Sequence, residues 1–194
     1  MLSDKLKDFH IILASGSPRR QQFFKELGLN FEIRLKPIAE DYPNRLTHFE
    51  ISDYLAQLKA IPFKDELRDT DILITSDTIV WHQNKALGKP NSNAEAFSML
   101  KSLSNTTHEV ITSVCFTTTK FEKTLNDVTK VSFKELTDKE IEYYIETSKP
   151  FDKAGAYGIQ EWIGQIGVTK VEGSYYNVMG MPTHLVYKTL NSMA

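Results

Sequence analysis

The chain has 194 residues, 41% of them hydrophobic and 25% charged, with a formal net charge of -2. That length buries a sizeable core and that composition excludes a disordered or fibrous chain. The near-neutral balance excludes a global basic field for nucleic acid, the single cysteine, Cys115, excludes an intrachain disulfide, and no apolar run is long enough to span a membrane.

The start MLSDKLKDFHIILAS mixes acidic and basic residues before a short apolar run, unlike a signal peptide, so the expected setting is cytoplasmic. Ile11 to Ala14 reads as a short buried strand, Ser15-Gly16 as a turn, and a helix follows. Ser17 suits the N-cap, Pro18 the first helical position and Gly28 the C-terminal cap, with Phe23, Phe24 and Leu27 as the apolar stripe. Arg19 and Arg20 sit where the helix dipole disfavours cations by about 0.3–1 kcal/mol, which points to an anion nearby. Free backbone N–H groups after a Gly-containing turn and arginine forks both suit phosphate; side chains simply facing solvent is the alternative.

Phe31 to Leu35 is expected as a strand, and KPIAEDYPNRLTH, carrying Glu40 and Asp41, as a loop. The spacing of Ile51, Tyr54, Leu55 and Leu58 predicts a helix from about Phe49 to Ala60, ended by Pro62, with Lys59 in its last turn. DILITSDTIVW reads as a central strand, QNKALGKP as a turn, and the segment from about Asn93 to Leu103 as a helix. HEVITSVCFTTT and TLNDVTKVSF read as partner strands. Thr137 and Glu140 form a capping box for a helix from Asp138 to Glu146. KPFDKAGAYGIQ reads as a loop, EWIGQIGVTKVEGSYYNV as a bent or paired strand, and a final helix begins near Pro182 with Leu185, Val186 and Leu190 inward. Intermixed helices and strands imply one α/β domain, 1–194, with a mixed sheet.

Asp77 interrupts the apolar run of its strand, where an uncompensated carboxylate costs several kcal/mol, on the order of the penalties for buried charge. Either the strand ends early and Ser76-Asp77-Thr78 is a turn, or Asp77 is a metal ligand or a base that activates water. With an anion site and Asp77, a second carboxylate from the Glu40 loop would complete an oxygen-rich Mg²⁺ or Mn²⁺ site. The five histidines are scattered without metal-ligand spacing, so zinc is not expected. In DKAGAYGIQ, glycines permit close backbone approach and the Gln160 amide both donates and accepts, as reading a base edge requires. No G-x-x-x-x-G-K-[ST], post-strand G-x-G-x-x-G or G-x-S-x-G occurs.

ASGSPRRQQFF, LAQLKA, SDTIV with LGKP, NAEAFSMLKSLSNTTHEVITSV, KPFDKAGAYGIQ and GSYYNVMGMP, in that order, resemble the Maf family of nucleoside triphosphate pyrophosphatases. The resemblance implies an ITPase-like α/β fold, a mixed twisted sheet flanked by helices with a central cleft between two lobes. It also implies metal-dependent hydrolysis of a nucleoside triphosphate to the monophosphate and pyrophosphate. Ser15, Arg19, Arg20, Lys59 and Lys89 would face the phosphates, Asp77 would accept a proton, and Glu40 with Asp77 would hold Mg²⁺ or Mn²⁺. Arg19, Thr78 and Gln160 mark the branch acting on dTTP and UTP; hydrolysis of 7-methyl-GTP or a modified nucleotide, and non-catalytic regulation of septum formation, are the other roles the family suggests. Members commonly form homodimers. Two positions depart from the family pattern, Glu161 and Asn105 standing where glycines are usual.

Overall fold

The computed structural model describes residues 1–193, in two compact units. The first comprises Met1–Asp77, Thr112–Asp127 and Gly180–Ala194; the second comprises Thr78–Ile111 and Val128–Met179. Helix α1 (Leu2–Lys5), which carries no strong sequence signal, buries Leu2 and hydrogen bonds through Lys5 Nζ to Asn191 Oδ1 at 2.9 Å. Strand β1 (His10–Leu13) and helix α2 (Pro18–Glu26) follow, joined by the Ser15-Gly16 turn. Ser17 caps α2 by accepting from Arg20 N at 3.5 Å, and Gly28, at φ +71°, adopts the left-handed conformation that ends it.

Strand β2 covers only Phe31–Ile33, stopping short of the expected end at Leu35, which is exposed. Helix α3 (Phe49–Ala60) buries Ile51, Ser52, Leu55, Ala56 and Ala60, and runs into a 3-10 segment, Ile61–Glu66, at Pro62. Strand β3 (Asp71–His82) is continuous through Asp77, so the early-terminating alternative does not hold. The QNKALGKP stretch is more than a plain turn, for it forms a hairpin: Gln83 and Asn84, both at positive φ, turn the chain into β4 (Lys85–Leu87), with Val80 opposite Leu87.

Helix α4 (Asn93–Leu103) precedes β5 (Thr107–Thr117) and β6 (Glu122–Phe133), and α5 (Asp138–Ser148) opens with the expected capping box. Asn105 has φ 54°, the left-handed region that glycine fills most readily and asparagine next. The segment expected as one bent or paired strand is instead helix α6 (Trp162–Gly167), strand β7 (Val168–Glu172) and helix α7 (Tyr175–Val178). Its helical part is short and interrupted by glycine, so packing rather than propensity forms it: Ile163 is buried, and Trp162 and Ile166 pack on the same core. Helix α8 (Thr183–Met193) buries Val186, Thr189 and Leu190, with Leu185 half-buried.

The sheet has seven strands in the order β2-β1-β3-β5-β6-β7, with β4 paired to β3. β1 pairs in parallel with β2 and β3, whereas β3/β4 and β6/β7 are antiparallel, the mixed arrangement expected. In the first unit Ile12, Ala60, Phe63 and Leu73 form a core that joins the parallel strands to α3. In the second, Val80, Leu100, Val131, Ile141 and Tyr144 belong to one larger core. No helix among the described residues is long and apolar enough to cross a membrane.

Candidate active site

The first unit holds the buried carboxylate of Asp77, 7% exposed in the interior of β3. Lys59, in the last turn of α3, places Nζ 2.5 Å from Asp77 Oδ1 and 3.1 Å from Glu40 Oε1. Its ammonium therefore joins two carboxylates and does not serve as a helix cap. Thr75 Oγ1 donates to Ala56 O at 2.6 Å, which locks β3 to α3 one helical turn from Lys59. Side-chain exposure rises from 10% at Asp77 through 18% at Lys59 to 45% at Glu40, so the cluster opens to solvent at its Glu40 end.

Arg20 reaches the same place from α2. Its NH1 donates to Ser76 O at 2.7 Å and its Nε to Gly180 O at 2.8 Å. The guanidinium thus fixes the peptide that precedes Asp77, which accounts for one of the two cations at a helix N-terminus. Burial lowers the Arg20 pKa from its ordinary value, while the charges of Asp77 and Glu40 favour the protonated form and Arg19 opposes it. Ser15 is buried at the start of this helix; its Oγ accepts from Ser17 N at 3.2 Å and its carbonyl from Gln21 Nε2 at 3.1 Å. Serine at this point shapes the turn on which α2 begins.

Burial raises the Asp77 carboxyl above the usual carboxylate range. Lys59 and Arg20 pull it back and Glu40 pushes it up, with the net direction upward. A carboxylate so placed binds a proton more readily than one in water, which is what a base acting near neutral pH requires. The oxygen donors also suit a hard divalent cation. Among the described residues no group of three or more His, Cys, Asp or Glu side chains converges as a metal site. Mg²⁺, however, is usually bound through one or two carboxylates together with substrate phosphates. Asp77 and Glu40 fit a cation of that kind.

A family model described as Maf-like protein matches residues 10–193. The chain belongs to the Maf family. Among its Maf relatives, the dTTP/UTP pyrophosphatase of Flavobacterium johnsoniae is 65% identical over 193 residues, 100% of both chains. That of Flavobacterium psychrophilum is 58% identical, covering 96% of each chain, and that of Christiangramia forsetii 57% identical, covering 100% of this chain and 98% of its own. Among solved structures, the Ham1 protein of Staphylococcus aureus (TM-score 0.53, 14% identity, 95% of this chain and 100% of that one) shares the fold. So does a HAM1 protein from Coxiella burnetii (TM-score 0.52, 14% identity, 95% and 99%).

Of the Maf site residues named from sequence, Glu40, Lys59, Asp77 and Arg20 lie together in the first unit, with Arg19 beside Arg20 on α2. Thr78, Lys89 and Gln160 belong to the second unit: Thr78 follows Asp77 on β3, Lys89 is exposed after β4, and Gln160 is half-buried before α6. The glycines of the Gln160 loop make close approaches within the protein. Gly155 N donates to Gly88 O at 3.0 Å, and a Cβ at Gly155 would sit 2.9 Å from Val80 Cγ2. At Gly164 a Cβ would fall 1.9 Å from Ile159 O, so only glycine lets α6 rest on that carbonyl. The carbonyls of Ser76 and Gly180, which orient Arg20, escape sequence reasoning, because backbone acceptors carry no residue-type signal.

Proposed function

We propose that the protein is a nucleoside triphosphate pyrophosphatase acting on dTTP and UTP with a divalent cation. The observation that carries this reading is the buried Asp77 carboxylate held inside β3 by Lys59, with Glu40 at the open end of the same cluster. The dTTP/UTP pyrophosphatases among its relatives supply the substrate class and favour a pyrimidine over 7-methyl-GTP. A protein that only bound nucleotide would not need a carboxylate placed to activate water beside a second carboxylate and an ammonium.

In the proposed reaction, a water oxygen bonds to the α-phosphorus as the α–β anhydride bond breaks, giving the monophosphate and pyrophosphate. Asp77 accepts the water proton. Lys59 and Arg19 lie against phosphate oxygens whose charge redistributes in the transition state, with Ser15 and Lys89 adding donors. Arg20 keeps the Ser76–Asp77 backbone in place while its charge adds to theirs. A Mg²⁺ or Mn²⁺ held by Asp77 and Glu40 would supply charge neutralisation on the phosphates. Thr78, Arg19 and Gln160 select the base.

The test is pyrophosphate release by the purified protein from dTTP and UTP, with Mg²⁺ or Mn²⁺ and with a chelator. Metal-dependent release of pyrophosphate with the matching monophosphate is expected. Absence of turnover with every nucleoside triphosphate would overturn the assignment, and release of orthophosphate instead would place the cleaved bond elsewhere.

A further inference from the structure

The second unit holds a partly buried ionic group for which the proposed reaction has no task. Tyr144, fully buried on α5, donates its hydroxyl proton to Glu161 Oε2 and accepts from Gly158 N at 3.1 Å. Lys153, only 8% exposed, places Nζ 3.1 Å from Glu161 Oε1 and 2.7 Å from Asp152 Oδ1. Both oxygens of Glu161 are thereby engaged, one by a phenol from the core and one by an ammonium from the far end of the loop. Burial and the Glu161 charge raise the Tyr144 pKa, so the phenol remains a donor throughout the working pH range. Ion pairs whose carboxylates are partly exposed, as Glu161 and Asp152 are, add little net stability. Their geometric precision suits them to fixing a neighbour.

That neighbour is Gln160. Glu161 N donates to Gly158 O at 3.0 Å, closing a tight turn with Gln160 inside it. A Cβ built on Gly158 would lie 2.9 Å from Glu161 Cδ, 3.0 Å from Gln160 Nε2 and 3.1 Å from Glu161 Oε1. Both side chains therefore approach the space over the same bare Cα, the amide through its NH₂ end and Glu161 through its carboxylate. A carboxylate accepts only, so it favours the NH₂ end of the amide on its own side and leaves Oε1 on the other. An outward carbonyl oxygen accepts a hydrogen bond. Thymine and uracil carry an imide N3–H that donates one, whereas cytosine has an unprotonated N3 acceptor at that place.

We propose that Glu161, clamped between Tyr144 and Lys153, is a positioning residue that orients the Gln160 amide to accept from the imide N–H of the substrate base. The clamp thus selects thymine and uracil against cytosine. This rests on the pyrophosphatase reading given above and deepens it.

The experiment compares kcat and KM for dTTP and dCTP in the wild-type protein and in Glu161→Gln, Glu161→Asp and Tyr144→Phe. In Glu161→Gln the neighbouring amide no longer dictates orientation, so the dTTP over dCTP ratio in kcat/KM should fall about tenfold. That fall should appear in KM for dTTP, with kcat within about threefold. Glu161→Asp, which keeps the acceptor, should recover part of the ratio, and Tyr144→Phe should lose part of it through a loosened carboxylate. A simply destabilised loop would lower turnover of both nucleotides alike. An unchanged ratio in both Glu161→Gln and Tyr144→Phe overturns the proposal, as does a wild-type protein that uses dCTP as well as dTTP. Should Glu161→Gln fail to fold, Tyr144→Phe decides. A wild-type protein that hydrolyses no nucleotide overturns the underlying reading and the clamp with it, whereas active wild type with indifferent variants overturns the clamp alone.

Discussion

His108, 2% exposed on β5, should make the protein sensitive to mild acid. Its Nε2 lies 2.7 Å from the Tyr157 hydroxyl, its ring stacks on Phe133, and its Nδ1 is buried with no hydrogen-bond partner. Protonation would place a charge and a second N–H donor in that environment, with His82 edge-on to the ring at 6.5 Å between centroids. Burial, with a smaller contribution from His82, lowers the pKa to about 3. Because the folded pKa lies below the unfolded value of about 6.5, the unfolded chain binds the proton first, and stability is lost as pH falls below about 6.5. From those two values the loss is about 1.4 kcal/mol at pH 5.5 and about 2.7 kcal/mol at pH 4.5, relative to pH 8. With a urea slope of about 2 kcal/mol/M, the midpoint should drop by about 1.3 M between pH 8 and 4.5 from this residue alone. Asp77, whose folded pKa is raised, acts in the opposite sense, so the comparison must be with a variant. Glutamine at 108 can still hydrogen bond to Tyr157 but does not titrate. Urea unfolding of wild type and His108→Gln across this range should give pH slopes that differ by roughly that amount. Equal slopes, or an NMR titration of His108 near 6.5, would refute the reasoning.

Asp77→Asn should fold normally, because the amide preserves volume and the lost bond to Lys59 is offset by relief of a buried charge; a Tm within about 4 °C of wild type is expected. Its pyrophosphate release should fall about 10²–10⁴-fold if Asp77 is the proton acceptor, and activity within threefold of wild type would remove it from that role. Lys59→Met leaves Asp77 and Glu40 without the ammonium that joins them, so Mn²⁺ titrated into the nucleotide-free protein and followed by EPR should bind about tenfold more tightly than in wild type. Unchanged Mn²⁺ affinity would mean that the two carboxylates do not hold the cation. Gly164→Ala drives a methyl group onto the Ile159 carbonyl and should cost about 3 kcal/mol or more, lowering Tm by roughly 6–12 °C; calorimetry showing a shift under 2 °C would contradict the close approach.

What the amino-acid order discloses follows from which signals are local. Caps and periods are local, so Ser17, the Thr137–Glu140 box and the apolar face of α5 are legible in the chain alone. Asp77 is legible for a different reason: a carboxylate in a β-branched run violates the pattern, and a violation of that size requires compensation from elsewhere. What compensates it is only partly legible. Lys59 and Glu40 are residues whose local contexts, a helix end and a loop, offer ordinary explanations, and the bridge that Lys59 makes from Glu40 to Asp77 depends on how α3 and the 34–48 segment pack. Helix α6 reads as strand because its formation depends on a contact, Gly164 on the Ile159 carbonyl, that leaves no periodic trace and whose glycine argues locally against a helix.

The same contrast explains why the Gln160 loop carries more than its glycines suggest. Taken singly, Gly155 and Gly164 answer to packing, against Val80 and Ile159, and require no ligand. The polar members do not reduce to packing in that way. Tyr144, Lys153 and Glu161 come from α5, from the loop entrance and from its exit, and their hydrogen bonds converge on one turn. An apolar trio would bury the same surface at less electrostatic cost. What an apolar trio would not do is hold a carboxylate at a defined place over the bare Gly158 Cα, the space that the Gln160 amide also approaches, and it is in that single respect that the ionic arrangement differs from the packing it displaces.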